Sequence, residues 1–241
     1  MILFRDFYHI GGIAMEDILH AGDYDLSRFF PFWTHMTPEQ QRKLTGCCTL
    51  RAFSAGENIY FHQFCNGGMY HVFSGAIRIY MISPAGREAT IYHRYPGQTG
   101  IIVDFSEQKP ENIIPVFQAE QDTVLAYLSK PDIYKASRVH PMLQDVYMDV
   151  TAECVQEVVN SFFSFAFLPL RERLARVLLE KAASAGSSTV SATHESLASA
   201  VGTSREVATR ALGKFEAEGV LRTGRKHVEI LDLEKLKEIA Q

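Results

Sequence analysis

The sequence predicts an α+β fold in which a strand-rich N-terminal part is followed by one long helix and a small C-terminal domain. Residues 49–129 alternate aromatic and β-branched segments with glycine-containing turns, a pattern typical of short β-strands. An apolar helical pattern covers residues 140–168. Two short helical patterns and two strand patterns then follow within residues 193–231. The chain therefore combines a β domain with a separate helical domain.

The composition is that of a globular protein. The 241 residues include 46% hydrophobic and 22% charged residues, and a chain of this length can bury two cores. No apolar run reaches the roughly 18 residues of a membrane span, and the N-terminus lacks the pattern of a signal peptide. We therefore expect a cytoplasmic protein without a membrane partner.

The C-terminal pattern predicts a helix-turn-helix. The first helix begins at Thr193 and ends at Gly202, where a left-handed residue is favoured. Thr203 and Glu206 form a capping-box pattern, so a second helix is expected to run from there to about Gly219.

A hairpin is predicted directly after the second helix. Residues 220–223 and 227–231 have strand patterns, and they are joined across residues 224–226. Two helices followed by such a hairpin make a winged helix-turn-helix, whose basic hairpin tip can contact phosphate. The second helix is then the one that enters the major groove of DNA.

The side chains at the start of the second helix suit base edges. Arginine matches guanine O6 and N7, a carboxylate accepts from cytosine N4, and threonine offers a methyl to thymine or a hydroxyl to phosphate. The predicted DNA-contacting residues lie on this helix or at the hairpin tip: Ser204, Arg205, Glu206, Thr209, Arg210, Lys214, Arg225 and Lys226.

The charge distribution agrees with double-stranded DNA as a partner. The whole chain has a formal net charge of −4, which alone favours no nucleic acid. Between Ser204 and His227, however, six lysines and arginines outnumber three glutamates. Binding to DNA requires only a locally basic face.

Residues 205–210 have the sequence REVATR, and with this motif the chain resembles the cyclic-AMP receptor protein/FNR (CRP/FNR) family of bacterial transcription regulators. The family's recognition helix carries Arg-Glu-x-x-x-Arg or Glu-x-x-Ser-Arg. The resemblance implies that Arg205, Glu206 and Arg210 contact bases. It also implies an inverted repeat with TGTGA-like half-sites, because the branch that binds TTGAT half-sites lacks the first arginine.

The resemblance extends over nearly the whole chain after residue 25. Residues 55–100 look like the β jelly roll of a cyclic-nucleotide-binding domain. The implied domains are an N-terminal extension (1–25), a cyclic-nucleotide-binding-like sensor domain (26–139), a dimerisation helix (140–168) and a winged helix DNA-binding domain (169–241).

The family's cyclic-phosphate anchors are missing. The resemblance places Ile101 near the family's glutamate, Ile113 near its arginine and Ile114 near its serine. A buried phosphodiester would leave its charge unpaired against these side chains. Cyclic AMP is therefore not the expected effector.

Two alternatives stay open for the sensor domain. The same resemblance places Val158 and Val159 where cyclic-nucleotide binders offer hydroxyls to the base. The pocket edge would be formed by a tyrosine: Tyr92, Tyr95 or Tyr127. Together with the three isoleucines they would suit a hydrophobic or aromatic effector. The other alternative is a filled core without a ligand, a DNA-binding protein whose β domain is only a scaffold.

Haem is a separate possibility, since some relatives sense gases through it. His71 and His93 lie on predicted strands and could be axial ligands, although such histidines are more often surface or half-buried residues. In the FNR branch of the family, an iron–sulfur cluster is held by cysteines clustered near the N-terminus. Because no cysteine precedes Cys47 here, such a cluster is not expected. The four cysteines, expected to be reduced thiols, are Cys47, Cys48, Cys65 and Cys154.

The long helix predicts a homodimer. It carries more apolar residues than one packing face needs, so one stripe should meet the β domain and another a second copy of the chain. Pro169 then interrupts the hydrogen-bond ladder at a hinge. An activator would also contact RNA polymerase, and no local motif identifies that surface.

An enzyme built on the β domain is the competing class of function. Metal-dependent jelly rolls use a His-x-His set with a carboxylate, and the spacing of His62, His71 and His93 does not reproduce it. We therefore expect no catalytic site.

Overall fold

The computed structural model describes residues 18–19, 24–61, 67–83, 86, 88–103 and 115–241. They fall into two compact units. The first comprises the chain up to Ile79 together with His93–Val155, and the second comprises Tyr80–Tyr92 together with Gln156–Gln241. The domain boundaries set from the sequence stay a prediction.

Some predicted positions lie outside the described residues. They are Ile113 and Ile114 of the expected effector pocket, His62, Cys65, and residues 1–17 and 20–23 of the N-terminal extension.

The N-terminal strands form two sheets. In chain order the strands are β1 (Ile18–Leu19), β2 (Thr49–Phe53), β3 (Asn58–Ile59), β4 (Gly68–Ser74), β5 (Ile77–Ile82), β6 (Glu88–Arg94), β7 (Thr99–Ile102), β8 (Val116–Ala119) and β9 (Thr123–Ser129). One sheet has the order β1-β2-β9-β4-β7 and the other β3-β8-β5-β6. The neighbours β2 and β9, β4 and β9, and β3 and β8 all pair antiparallel.

Aromatic side chains join the two sheets. Tyr70 on β4 meets Phe117 on β8 edge to face, with ring centroids 6.1 Å apart, and Phe61 stacks on Tyr70 at 5.3 Å. Two antiparallel sheets that bury a shared core form the predicted jelly roll. The α+β prediction is therefore confirmed.

Two short helices, α1 (Pro38–Thr45) and α2 (Lys130–Ser137), flank the larger sheet. The side chain of Thr37 caps α1 in a capping box with Gln40. The largest buried side chains of the surrounding core include Phe29, Phe30, Leu44, Leu50, Leu128 and Leu143. These aromatic and aliphatic groups close one face of the sheet.

The long helix α3 spans Met142–Phe167. Its buried residues are Leu143, Val150 and Cys154, which recur at helical spacing on one side. Its exposed apolar residues are Met142, Met148, Val155, Val158, Val159, Phe162, Phe163 and Phe167. Among the described helices, none is both long enough and apolar enough to span a membrane.

The C-terminal domain contains α4 (Leu170–Ala185), β10 (Thr189–Ser191), α5 (His194–Ala200), α6 (Arg205–Ala217), β11 (Leu221–Gly224), β12 (His227–Ile230) and α7 (Leu233–Ile239). The helices close over a core that includes Leu174, Leu178, Leu197, Leu212, Phe215 and Leu236. The strand order is β10-β12-β11, with both pairs antiparallel. β10 and α7 were not predicted, but the helix-turn-helix and its hairpin were.

The second unit also includes residues of the β5–β6 hairpin. Ser199 on α5 donates its hydroxyl to Glu88 Oε2 at 2.9 Å, and the Ser161 hydroxyl on α3 donates to the carbonyl oxygen of Ile91. These bonds attach strand β6 to the helices around the DNA-binding domain.

Candidate nucleic-acid interface

The start of α6 is set by Ser204. Its Oγ accepts the backbone N–H of Val207 at 3.4 Å, so the helix begins at Arg205. The predicted capping box of Thr203 with Glu206 is therefore wrong by one residue. Thr203 lies in the turn that closes the end of α5, where its N–H donates to the carbonyl of Ala198 at 2.9 Å.

The exposed N-terminal face of α6 presents Arg205, Glu206, Thr209 and Arg210 together, as helical spacing predicts. The opposite face packs into the core through Ala208, Leu212 and Phe215. Within the described chain, neither Arg205 nor Arg210 forms a hydrogen bond or an ion pair. Both guanidinium groups thus keep their donors available.

Glu206 is held as a carboxylate. Its pKa lies below the usual value, chiefly because its own backbone N–H and the Ser204 hydroxyl donate to it, and the nearby charges of Arg205 and Arg210 add to this. An ionised carboxylate is a hydrogen-bond acceptor only. It can therefore accept from the amino group of cytosine.

The hairpin places two further cations at its tip. Gly224 pairs with His227, so the turn consists of Arg225 and Lys226, both exposed, and Lys226 has a positive φ of 80°. The predicted three-residue turn is one residue too long, since Gly224 belongs to β11. Lys214 on α6 is also exposed.

A side-chain contact ties the wing to the recognition helix. The carboxylate of Glu216 on α6 accepts the N–H and the hydroxyl of Thr223 on β11, the latter at 2.7 Å. These bonds lower the pKa of Glu216. The position of the wing relative to α6 is therefore set by a pair that the sequence did not indicate.

The end of α6 is attached to α4. Arg171 donates to both carboxylate oxygens of Glu218, with 2.6 Å between Nη1 and Oε1, and its guanidinium lies 5.1 Å from the Phe215 ring centroid. The pair raises the pKa of Arg171 and lowers that of Glu218. This fork-to-fork contact holds α6 against its supporting helix.

Sequence reasoning missed His194. Its Nδ1 lies 2.9 Å from Oγ1 of Thr209, so the first residue of α5 contacts the exposed face of α6. The two residues are 15 positions apart in different helices, and no periodic pattern links them.

Comparison with known proteins agrees with this geometry. Residues 172–239 match the family described as the Crp-like helix-turn-helix domain. The cyclic AMP receptor protein of Thermus thermophilus is 26% identical over 210 residues, covering 87% of this chain and 96% of that protein. A CRP/FNR-family transcriptional regulator of known structure, also from Thermus thermophilus, has a TM-score of 0.59 at 25% identity, covering 79% of this chain and 97% of that one. A CRP/FNR-family structure from Eubacterium rectale has the same fold, with a TM-score of 0.72 at 24% identity and coverage of 88% and 98%.

The C-terminal part of the chain is therefore a Crp-like helix-turn-helix domain, the one described above. Over most of its length the chain is similar to regulators of the CRP/FNR family.

The described residues of the expected effector pocket have different environments. Ile101 is half-buried on β7, and Tyr92 is half-buried on β6. Val158 and Val159 on α3 are 46% and 52% exposed. Their role in effector binding stays a prediction.

The two histidines proposed for haem are buried, contrary to the expected surface or half-buried positions. His71 has no exposed surface: its Nδ1 lies 2.9 Å from Thr99 Oγ1, and its ring packs against Phe29 and Phe73. Its Nε2 has no hydrogen-bond partner among the described residues, but the side chain has no exposed surface at which a porphyrin could reach it. His93 Nε2 lies 3.5 Å from Glu120 Oε1. The residues present therefore fit an axial haem ligand poorly.

The described cysteines are free thiols. Cys48 and Cys154 are buried, and Cys47 is half-buried. Cys47 and Cys48 lie in the connection between α1 and β2, not on a strand. Burial raises the pKa of the Cys48 thiol, which keeps it protonated.

Proposed function

We propose that the chain is a dimeric, sequence-specific regulator that binds an inverted repeat with TGTGA-like half-sites and responds to a small effector other than cyclic AMP. The observation that carries the proposal is the exposed face of α6. There Arg205 and Arg210 retain all their donors while Glu206 is ionised.

The chemistry of this face favours G·C pairs in the half-site. Each arginine can donate a bidentate pair to guanine, and each such contact contributes roughly 1–3 kcal/mol of discrimination. Glu206 can accept from the cytosine of a neighbouring pair. The exposed cations Lys214, Arg225 and Lys226 supply contacts to phosphate, which strengthen binding without selecting a sequence.

The exposed apolar face of α3 supports dimerisation. Phe162 and Phe167 are each 69% exposed, and Phe163 is 50% exposed. A contiguous apolar face of this kind is typical of a protein–protein contact. A second α3 with the same face would cover it, and the twofold axis would present two recognition helices to grooves about 34 Å apart.

The proposed effector is not a cyclic nucleotide, although a relative is named for cyclic AMP. The resemblance to the family puts isoleucines at the three anchor positions, and the one that the structure describes, Ile101, is half-buried. Withdrawing a phosphodiester from water without a cation or hydroxyl partner is unfavourable by several kcal/mol. A hydrophobic or aromatic molecule has no such penalty.

Binding to systematically varied duplexes tests the proposal. We expect the wild-type protein to sediment as a dimer and to prefer an inverted TGTGA repeat over a scrambled duplex in fluorescence anisotropy at moderate salt. Arg205→Ala should weaken binding most at one guanine per half-site and relax specificity there, by about 1–3 kcal/mol. Lys226→Ala is the matched control, since loss of a phosphate contact should weaken binding to all duplexes alike. Equal loss on every duplex for Arg205→Ala would contradict the proposed role of that residue.

A further inference from the structure

His194 is held in a defined position beside the recognition helix. It is the first residue of α5 and lies within the capping box of that helix. In this box Thr193 Oγ1 accepts the N–H of Ser196 at 3.0 Å, and Ser196 Oγ accepts the N–H of Thr193 at 2.9 Å. The backbone that carries the imidazole is therefore fixed by two reciprocal bonds. From this position, Nδ1 lies 2.9 Å from Oγ1 of Thr209.

This contact restricts the side chain of Thr209. A threonine in a helix divides between two χ1 rotamers because its hydroxyl can also bond to a carbonyl one turn back. In the described part of the chain, the Thr209 hydroxyl bonds to His194 and to no helix carbonyl. Since hydroxyl and methyl share one Cβ, a bond that orients the hydroxyl also orients the methyl.

Thr209 lies on the same exposed face as Arg205 and Arg210. Arg205 precedes it by one helical turn, and Arg210 follows it directly. The hydroxyl of Thr209 is directed toward His194 of the same domain. The group left for the DNA is the methyl, and the major groove displays one apolar group that matches it, the C5 methyl of thymine.

We infer that His194 is a positioning residue for specificity: by binding the Thr209 hydroxyl, it presents the Thr209 methyl to a thymine in the half-site. This assigns Thr209 a contact with a base, where its residue type alone left a phosphate contact equally open. The inference rests on the proposed DNA binding and specifies one interaction within it.

Replacing single thymines by deoxyuridine isolates the contact, because this removes only the C5 methyl. In a duplex that the wild-type protein binds specifically, we expect one thymine per half-site at which the substitution raises Kd roughly fourfold, the effect of one buried methyl. Thr209→Ser should bring this ratio of Kd values close to one. Thr209→Val, which keeps a methyl and has a single preferred helical rotamer, should retain it.

Variants at His194 test the positioning role. His194→Ala should lower the thymine-to-uracil ratio in the wild-type background but not in the Thr209→Val background, where no hydroxyl needs a partner. His194→Asn places an amide near the position of Nδ1 and should restore the ratio, whereas His194→Gln should not. Circular dichroism melting of each variant verifies that the domain remains folded.

The outcomes separate this inference from the function on which it rests. A ratio of one at every thymine, or a ratio unchanged by His194→Ala, would overturn the role of His194 while specific DNA binding stands. Failure of the wild-type protein to prefer any duplex would overturn the proposed function itself.

Discussion

The buried imidazole of His71 is neutral in the folded protein. Burial lowers its pKa from 6.5 to about 4, and the nearby charge of Arg28 acts in the same direction. A group whose folded pKa is below its unfolded pKa releases its proton on folding. The stability that depends on the neutral imidazole is therefore complete above pH 6.5 and is lost as the pH falls toward 4.

His71→Asn should make the first unit less sensitive to acid. Asparagine does not titrate and can still place a polar atom near Thr99. Between pH 7 and pH 5 the wild-type unit should lose about 2 kcal/mol more free energy of unfolding than the variant. Urea titrations followed by the fluorescence of Trp33, the single tryptophan of the chain, report on this unit. An equal loss for both proteins would show that His71 does not carry the acid sensitivity.

The turn of the helix-turn-helix depends on close packing beside its glycine. Gly202 has a φ of +66°, and a Cβ built there would lie 2.8 Å from Cε1 of Phe165 on α3. The ring of Phe165 also lies 5.5 Å below the guanidinium of Arg173, whose Nη1 donates to the carbonyl of Val201 at 2.8 Å. The turn is thus enclosed by the end of α3 and the start of α4.

Gly202→Ala should destabilise the second unit more than Gly186→Ala does. Gly186 ends α4 with a φ of +58°, but a Cβ there meets nothing within 4 Å. We expect Gly186→Ala to lower the free energy of unfolding by about 1–2 kcal/mol, from backbone strain alone. Gly202→Ala should lower it by a further 1–3 kcal/mol, roughly, because the new methyl would crowd Phe165. Calorimetry of both variants measures the difference, and equal losses would contradict the packing argument.

The two compact units share the jelly-roll strands and α3. Strands β5 and β6 each have residues in both units, and α3 is divided between the units after Val155. Within the second unit, Glu88 on β6 bonds to Ser199 on α5. In this unit the β5–β6 hairpin is therefore joined by a hydrogen bond to the first helix of the helix-turn-helix. In the proposed dimer, control by an effector requires that the effector bind two states of the dimer with different affinity.

Cyclic AMP should not stabilise the protein. Because the proposed alignment puts isoleucines at the anchor positions, 1 mM cyclic AMP is expected to leave the melting temperature unchanged in differential scanning fluorimetry. A specific duplex added to the same sample is the positive control, because any ligand that binds only the folded state raises the melting temperature. A shift with cyclic AMP would show that other residues neutralise its phosphate and would overturn the effector argument.

The face of α6 was predictable because it depends on local rules. Helical spacing places residues 205, 206, 209 and 210 together, and core-forming residues mark the opposite side. The cap was misplaced by one residue because the N–H of Thr203 bonds back to Ala198, a competition between two helix ends that a single-helix pattern does not include. β10 was missed because three residues are too few to show a strand period.

Periodicity, capping residues and turn glycines were sufficient to place the long helix, the two helices of the helix-turn-helix, the hairpin and the basic face to within a few residues, since each depends on residues close to one another in the sequence. Contacts between distant positions came only from the packed structure. His194 with Thr209, Glu216 with Thr223 and the complete burial of His71 are of this kind. No local pattern encodes them, because each depends on how separate elements are brought together by burial of a common core.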